Sequence, residues 1–203
     1  MNTTDLLSRF TDPADPRPFV QRPVQWAGFM WATNSYMAIR IPVDGEEPYL
    51  YDQTQYAVVS MLNRFSDIPW ERGDFSPITD ERIDKSCGNC VGTGRIAVER
   101  DEKCGECDGP GEFHHGKHTY VCRECHGDGI VGMATGEMVD CPYCKGAGVH
   151  HYAKISGLYF NAAYIDTIKS LPSVVMWTPN ATHGMAGFRF DGGEGIIMSL
   201  WGI

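Results

Sequence analysis

Every cysteine of this chain lies in one motif, C-x-x-C-x-G-x-G, written four times. The copies are Cys87-Gly-Asn-Cys90-Val-Gly-Thr-Gly94, Cys104-Gly-Glu-Cys107-Asp-Gly-Pro-Gly111, Cys122-Arg-Glu-Cys125-His-Gly-Asp-Gly129 and Cys141-Pro-Tyr-Cys144-Lys-Gly-Ala-Gly148. Two intervening residues let both thiolates of a pair turn toward one metal ion, at about 2.3 Å for zinc. The backbone must then turn tightly, in conformations of positive φ that glycine adopts without steric cost. A tetrahedral site takes four such sulfurs, so four pairs make two sites with no cysteine left over. Two structural zinc ions are the predicted cofactors.

Other uses of C-x-x-C fit less well. Disulfides belong to oxidising compartments, and the start Met-Asn-Thr-Thr-Asp has neither a basic stretch nor an apolar h-region, so no export is expected. A redox dithiol needs one reactive pair at a helix start, not four glycine-flanked pairs. Iron–sulfur clusters also take C-x-x-C pairs and stay open as an alternative.

The four repeats resemble the cysteine-rich zinc domain of DnaJ-type co-chaperones, over about residues 85–150. The resemblance implies that the first and fourth copies share one zinc, held by Cys87, Cys90, Cys141 and Cys144. It implies that Cys104, Cys107, Cys122 and Cys125 hold the second. The likeness stops there: the chain has no His-Pro-Asp tripeptide and no glycine/phenylalanine-rich linker. The element that stimulates a partner ATPase in that family is therefore missing.

The zinc segment is poor in large apolar residues. Those it has alternate around turns and predict short hairpin strands, such as 95–99 and 129–133. So small a core needs its metal, because each structural zinc supplies on the order of 10–16 kcal/mol of binding free energy coupled to folding. All five tryptophans lie outside this segment, so the main core must be assembled from both ends of the chain. The expected domains are a discontinuous body, 1–84 plus 151–203, and an inserted zinc domain, 85–150.

The formal net charge is −9. Eight thiolates around two zinc ions take it to about −13. Acid exceeds base along the whole length: residues 1–80 carry six Lys/Arg against eleven Asp/Glu, and residues 81–154 nine against twelve. No basic run marks a nucleic-acid footprint. No stretch approaches 18 apolar residues, so no membrane span is predicted, and a cytoplasmic location is expected. Six of the seven histidines lie between His114 and His151. They read either as an additional metal site or as exposed loop residues.

In the body, residues 4–10 predict a short helix, followed by a link bearing Pro13, Pro16, Pro18 and Pro23. Strands are expected at 24–32 and 35–43, and a third at 49–51. A helix is expected at about 54–65, with Tyr56, Val59, Leu62 and Phe65 on one stripe. Residues 66–84 read as irregular. Beyond the zinc segment, 154–160 reads as a strand. Asn161 then caps a helix with Tyr164, Ile165, Ile168 and Leu171 on one face, stopped by Pro172. Strands 174–178, 185–191 and 195–201 complete a β-α-β-β-β order. The predicted class is α+β: an antiparallel sheet with two or three helices, interrupted by the hairpin-rich zinc domain.

That order resembles a half-module of the bacterial sliding DNA clamps. The likeness lies in Phe160-Asn-Ala-Ala-Tyr164-Ile165, in Gly195-Ile-Ile-Met198, and in Gly28-Phe-Met-Trp-Ala-Thr-Asn-Ser, where Asn34 stands for the clamp's aspartate. A clamp domain contains two such halves, so one domain's worth of chain is present, and a ring would require a homo-oligomer.

No Walker loop, G-x-S-x-G or H-E-x-x-H occurs. A four-cysteine zinc site leaves no position for water or substrate. A non-catalytic binding protein is therefore expected, not an enzyme. The clamp likeness implies a partner that is DNA or a replication protein, with Arg9, Arg17, Arg22, Arg40, Lys154 and Lys169 gathered on one face. The DnaJ likeness implies capture of unfolded peptide segments instead. Thiol–disulfide exchange is a third reading.

Overall fold

The computed structural model describes residues 3–44, 60, 63–180 and 184–200. The chain divides into two compact units, 1–83 with 151–203 and 84–150.

The first unit is built on a six-stranded antiparallel sheet. Strands β1 (Val24–Trp26), β2 (Phe29–Thr33) and β3 (Met37–Pro42) come from the N-terminal part. Strands β11 (Val175–Trp177), β12 (Met185–Phe190) and β13 (Gly193–Met198) come from the C-terminal part. The sheet order is β1-β2-β3-β13-β12-β11, so the two ends of the chain meet at the β3–β13 pair. A second sheet has the order β10-β9-β4, with β4 Glu81–Ser86, β9 Val149–Ile155 and β10 Leu158–Asn161.

Alternation along the strands sorts side chains onto two faces. On one face Ala32, Ile39, Ile197 and Phe188 pack with Leu7 and Phe10 of the N-terminal segment and with Ile165 and Ile168. Helix α1 (Thr3–Ser8) and helix α3 (Ala162–Lys169) cover this face. The helix α2 (Pro18–Gln21) begins on Pro18, whose fixed φ suits a first helical residue. On the other face Trp31, Ala38 and Ile196 pack with Phe65 and Ile68, flanked by Trp26, Phe29, Trp70, Phe75 and Trp177. One row crosses all six strands there: Val24, Trp31, Arg40, Glu194, Arg189 and Val175.

Local signals account for α3. The Asn161 side chain accepts a hydrogen bond from the Ala163 N–H at 2.9 Å, the cap read from the sequence. Ile165 and Ile168 are fully buried. The start of β4 is tied to this helix by charge. Asp80 lies 2.8 Å from Lys169 and 2.6 Å from Arg82, which also pairs with Asp166. Burial alone would raise the Asp80 carboxyl, but Lys169 and Arg82 together hold it below its ordinary value.

Three expectations need correction. The fold is β-rich, not α+β: among the described residues no helix exceeds the eight of α3, while thirteen strands form two sheets and the two ribbons of the zinc unit. The single strands expected at 24–32 and 154–160 are each a hairpin. Ala27 and Gly28 (φ 51° and 75°) turn the first, and Ser156 and Gly157 (φ 50° and 86°) the second. Positive φ at both central residues is what a two-residue hairpin turn requires. Residues 81–86, read as irregular or zinc segment, form β4. The strand expected at 49–51 and most of the helix expected at 54–65 lie outside the described residues, but 63–66 is helical.

The zinc unit contains two antiparallel two-stranded ribbons, one of them a hairpin. Strands β5 (Arg95–Lys103) and β8 (Ile130–Asp140) pair along their length with a register shift between Ala97 and Glu99, so both exceed the expected 95–99 and 129–133. Strands β6 (Glu112–His115) and β7 (His118–Val121) form the other.

Phe188 is fully buried, with its ring 6.3 Å from those of Phe10 and Phe190. Phe188→Ala is expected to cost about 3–5 kcal/mol in urea unfolding of the body. Zinc content should stay at two ions per chain, because all eight cysteines lie in the other unit.

Candidate metal centres

The eight cysteines gather into two groups, Cys87, Cys90, Cys141 and Cys144, and Cys104, Cys107, Cys122 and Cys125. This is the pairing that the family resemblance implied. All eight are buried and none is in a disulfide. Within each group the four sulfurs lie within 4.8 Å of one another.

The spacing fits zinc. A tetrahedron with bonds of about 2.3 Å has sulfur–sulfur edges of about 3.8 Å. The outer group has edges of 3.9 Å (Cys87–Cys141) and 3.7 Å (Cys90–Cys144), and the inner group 3.7 Å for both Cys104–Cys122 and Cys107–Cys125. The protein binds two zinc ions, one at each group.

Each knuckle is a repeated piece of backbone. After the second cysteine comes a residue in the left-handed region: Val91, Asp108, His126 and Lys145, at φ between 49° and 55°. Both motif glycines then continue with positive φ. The second glycine donates its N–H back to the second cysteine's sulfur, at 3.2 Å for Gly94, Gly129 and Gly148 and 3.3 Å for Gly111. Such bonds favour the thiolate.

Paired knuckles also interlock. The N–H of each first cysteine donates to the second-glycine carbonyl of its partner knuckle: Cys87 to Gly148 (2.8 Å), Cys141 to Gly94 (2.7 Å), Cys104 to Gly129 (3.0 Å) and Cys122 to Gly111 (2.8 Å). A Cβ on Gly94 would run into the Gly146 carbonyl, and one on Gly129 into that of Gly109. The motif's last glycine is thus needed for close approach between knuckles as well as for its φ. Ile96 packs on the outer cysteines and Val131 on the inner ones.

Protons and metal compete for these sulfurs. Burial raises the Cys90 thiol, yet the Gly94 N–H and neighbouring cysteines bring it down to about 7. Burial likewise opposes ionisation of Cys125, which the Gly127 and Gly129 N–H groups pull down to about 7. Cys144 is pushed up to about 11, first by burial and then by the sulfurs beside it. Each thiolate formed makes the next costlier, and a divalent cation removes that conflict.

Other candidate residues fall elsewhere. Neither cysteine group includes a histidine. His114 contacts Glu112 (3.3 Å) and Thr119 (3.1 Å), and His115 faces His118 across the β6–β7 pair. The predicted basic residues do not all share one face: Arg40 lies in the row with Trp31 on the aromatic face of the six-stranded sheet, while Arg9 and Lys169 lie at α3, which covers the opposite face. Arg40 lies over the rings of Phe29 and Phe65, at 4.6 and 4.9 Å, and pairs with Glu194. Arg9 reaches Ser170 at 2.6 Å, beside α3. Carboxylates also pair with Arg17 (Asp15), Lys154 (Glu81) and Lys169 (Asp80). Sequence reasoning missed Arg189, which lies 4.6 Å from the Phe75 ring centre and donates to the Trp70 carbonyl. Its partners are set by sheet register, so no local motif announces it.

Comparison with family models, with curated proteins and with solved structures finds no match. No helix among the described residues is long and apolar enough to cross a membrane.

Cys87→Ser is expected to lose the outer zinc and Cys104→Ser the inner, each leaving the other ion in place by metal analysis of purified protein. Gly129→Ala should behave like Cys104→Ser although it removes no ligand. Both ions should leave as pH falls, since each thiolate gains a proton as the metal departs; a dye-coupled acid titration reads this.

Proposed function

We propose that this chain is a non-catalytic docking protein, stabilised by two zinc ions, whose DnaJ-type zinc unit receives an extended apolar segment of a partner polypeptide. One observation carries the reading. Of the ten large apolar side chains exposed among the described residues, nine lie in the zinc unit, including Val91 (86%), Tyr143 (66%) and Val121 (63%). A solvated unit with no partner has little reason to concentrate them. Every residue of β6 and β7 is exposed, and among the described strands each pairs only with the other. An unpaired strand edge is a template for an added strand.

Four buried cysteines per zinc support a structural rather than a catalytic metal. The same burial disfavours thiol–disulfide exchange, which needs an accessible thiolate. Reduced, metal-bound cysteines suit a cytoplasmic setting.

One observation favours the nucleic-acid reading suggested by the clamp-like resemblance. The second sheet face carries Arg40 and Arg189 among the half-buried rings of Trp26, Phe29, Trp70, Phe75 and Trp177. Arginine with aromatic rings is how proteins hold unstacked bases. Glu194 sits between the two arginines, however, and the chain as a whole is acidic.

Fluorescence anisotropy with a labelled unstructured apolar peptide and with an oligo-dT strand, over a salt series, separates the two. Peptide binding that survives salt and weakens about tenfold in Tyr120→Ser/Val121→Ser is the expected result. Binding only to oligo-dT, falling steeply with salt, would replace it with the nucleic-acid reading.

A further inference from the structure

The two zinc sites share their backbone design but not the side chains that border their sulfurs. In each knuckle the residue before the second cysteine is exposed. In the outer pair these residues are Asn89 and Tyr143; in the inner pair they are Glu106 and Glu124. The two carboxylates cross over: Glu124 Oε2 lies 3.5 Å from Cys104 Sγ, and Glu106 Oε2 lies 3.9 Å from Cys122 Sγ. Each acid therefore stands against the first cysteine of the opposite knuckle. The two cysteines so addressed form one edge of the inner group, 3.7 Å long.

Carboxylate oxygen is an ordinary zinc ligand, although a harder one than thiolate. A carboxylate beside a bound thiolate also disfavours the tetrathiolate, because that complex is already a dianion. Both effects act on the same edge and in the same direction.

We propose that the inner group is an exchangeable zinc site, with Glu106 and Glu124 as relay ligands, and that the outer group is the permanent structural site. In the relay, Glu124 supplies one oxygen as Cys104 leaves, so one metal–sulfur bond is replaced by one metal–oxygen bond. The departing sulfur keeps its electron pair and takes a proton from solvent. Glu106 does the same for Cys122. An incoming acceptor then meets a site with weaker donors instead of a closed set of four thiolates. No oxidant is needed, and the outer site, with an amide and a phenol at these positions, has no equivalent route. The ligand class is a soft or borderline divalent cation, and the acceptor is any chelating group that can reach the exposed acids.

The inference rests on the two-zinc reading, so metal content per chain is measured first; a value other than two overturns that reading rather than the relay. Two-zinc protein is then mixed with excess EDTA and zinc release is followed with time. One ion should leave in a fast phase and one in a slow phase, and Cys104→Ser should lack the fast phase. In Glu106→Gln/Glu124→Gln, which keeps side-chain size at two exposed positions, the fast phase should slow by about tenfold or more. The cobalt-loaded protein gives a reading of the donors. On adding sub-stoichiometric chelator, the thiolate-to-cobalt charge-transfer band of the native chain should fall in steps through a mixed sulfur–oxygen species absent from the double variant. Equal release from both sites, a fast phase assigned to the outer site through Cys87→Ser, or unchanged rates in the double variant would each overturn the proposal.

Discussion

The reciprocal bond between paired knuckles is the constraint on which the zinc unit depends. A first-cysteine N–H reaches the partner's last motif glycine, and that glycine has no room for a side chain. Metal and backbone therefore specify the same pairing. The sulfurs of a mispaired set could still gather around an ion, but the knuckle backbones would lose four hydrogen bonds across the two sites. Agreement between ligand chemistry and backbone geometry lets a unit with few buried apolar side chains adopt one structure.

The body solves the opposite problem. Among its described residues no group of metal-ligand side chains gathers, and its sheet is centred on the β3–β13 pair, which joins segments more than 150 residues apart in the chain. Residues 84–150 occupy the interval without contributing a strand to that sheet. One face of the sheet is apolar and helix-covered. The other mixes tryptophan, phenylalanine and arginine, with Arg40 held between rings and Glu194. A guanidinium can occupy such a place because its flat face stacks on rings while its edge bonds a carboxylate.

The metal sites were the most legible part of the sequence, since C-x-x-C-x-G-x-G is a local instruction: spacing, turn and donor lie within eight residues. The N-cap at Asn161 and the buried face of α3 were legible for the same reason. The hairpin turns at Ala27-Gly28 and Ser156-Gly157 were written just as locally but were hidden inside apolar runs that read as single strands. The fold class was not legible because helical periodicity gives no measure of how much chain the sheets take up. The helices are short segments laid on the sheet, with α1 and α3 on one face and Phe65 of the 63–66 helical turn on the other, while strands set the architecture.

By itself the sequence determined that this chain binds two metal ions through cysteine, because ligand number, softness and spacing are properties of adjacent residues. Only the tertiary structure decided how the knuckles interlock, that Glu106 and Glu124 cross to the opposing cysteines, and that Arg40, Glu194 and Arg189 form one row. Those are contacts between residues distant in the chain, set by register and close approach, and neither quantity is encoded in a local pattern.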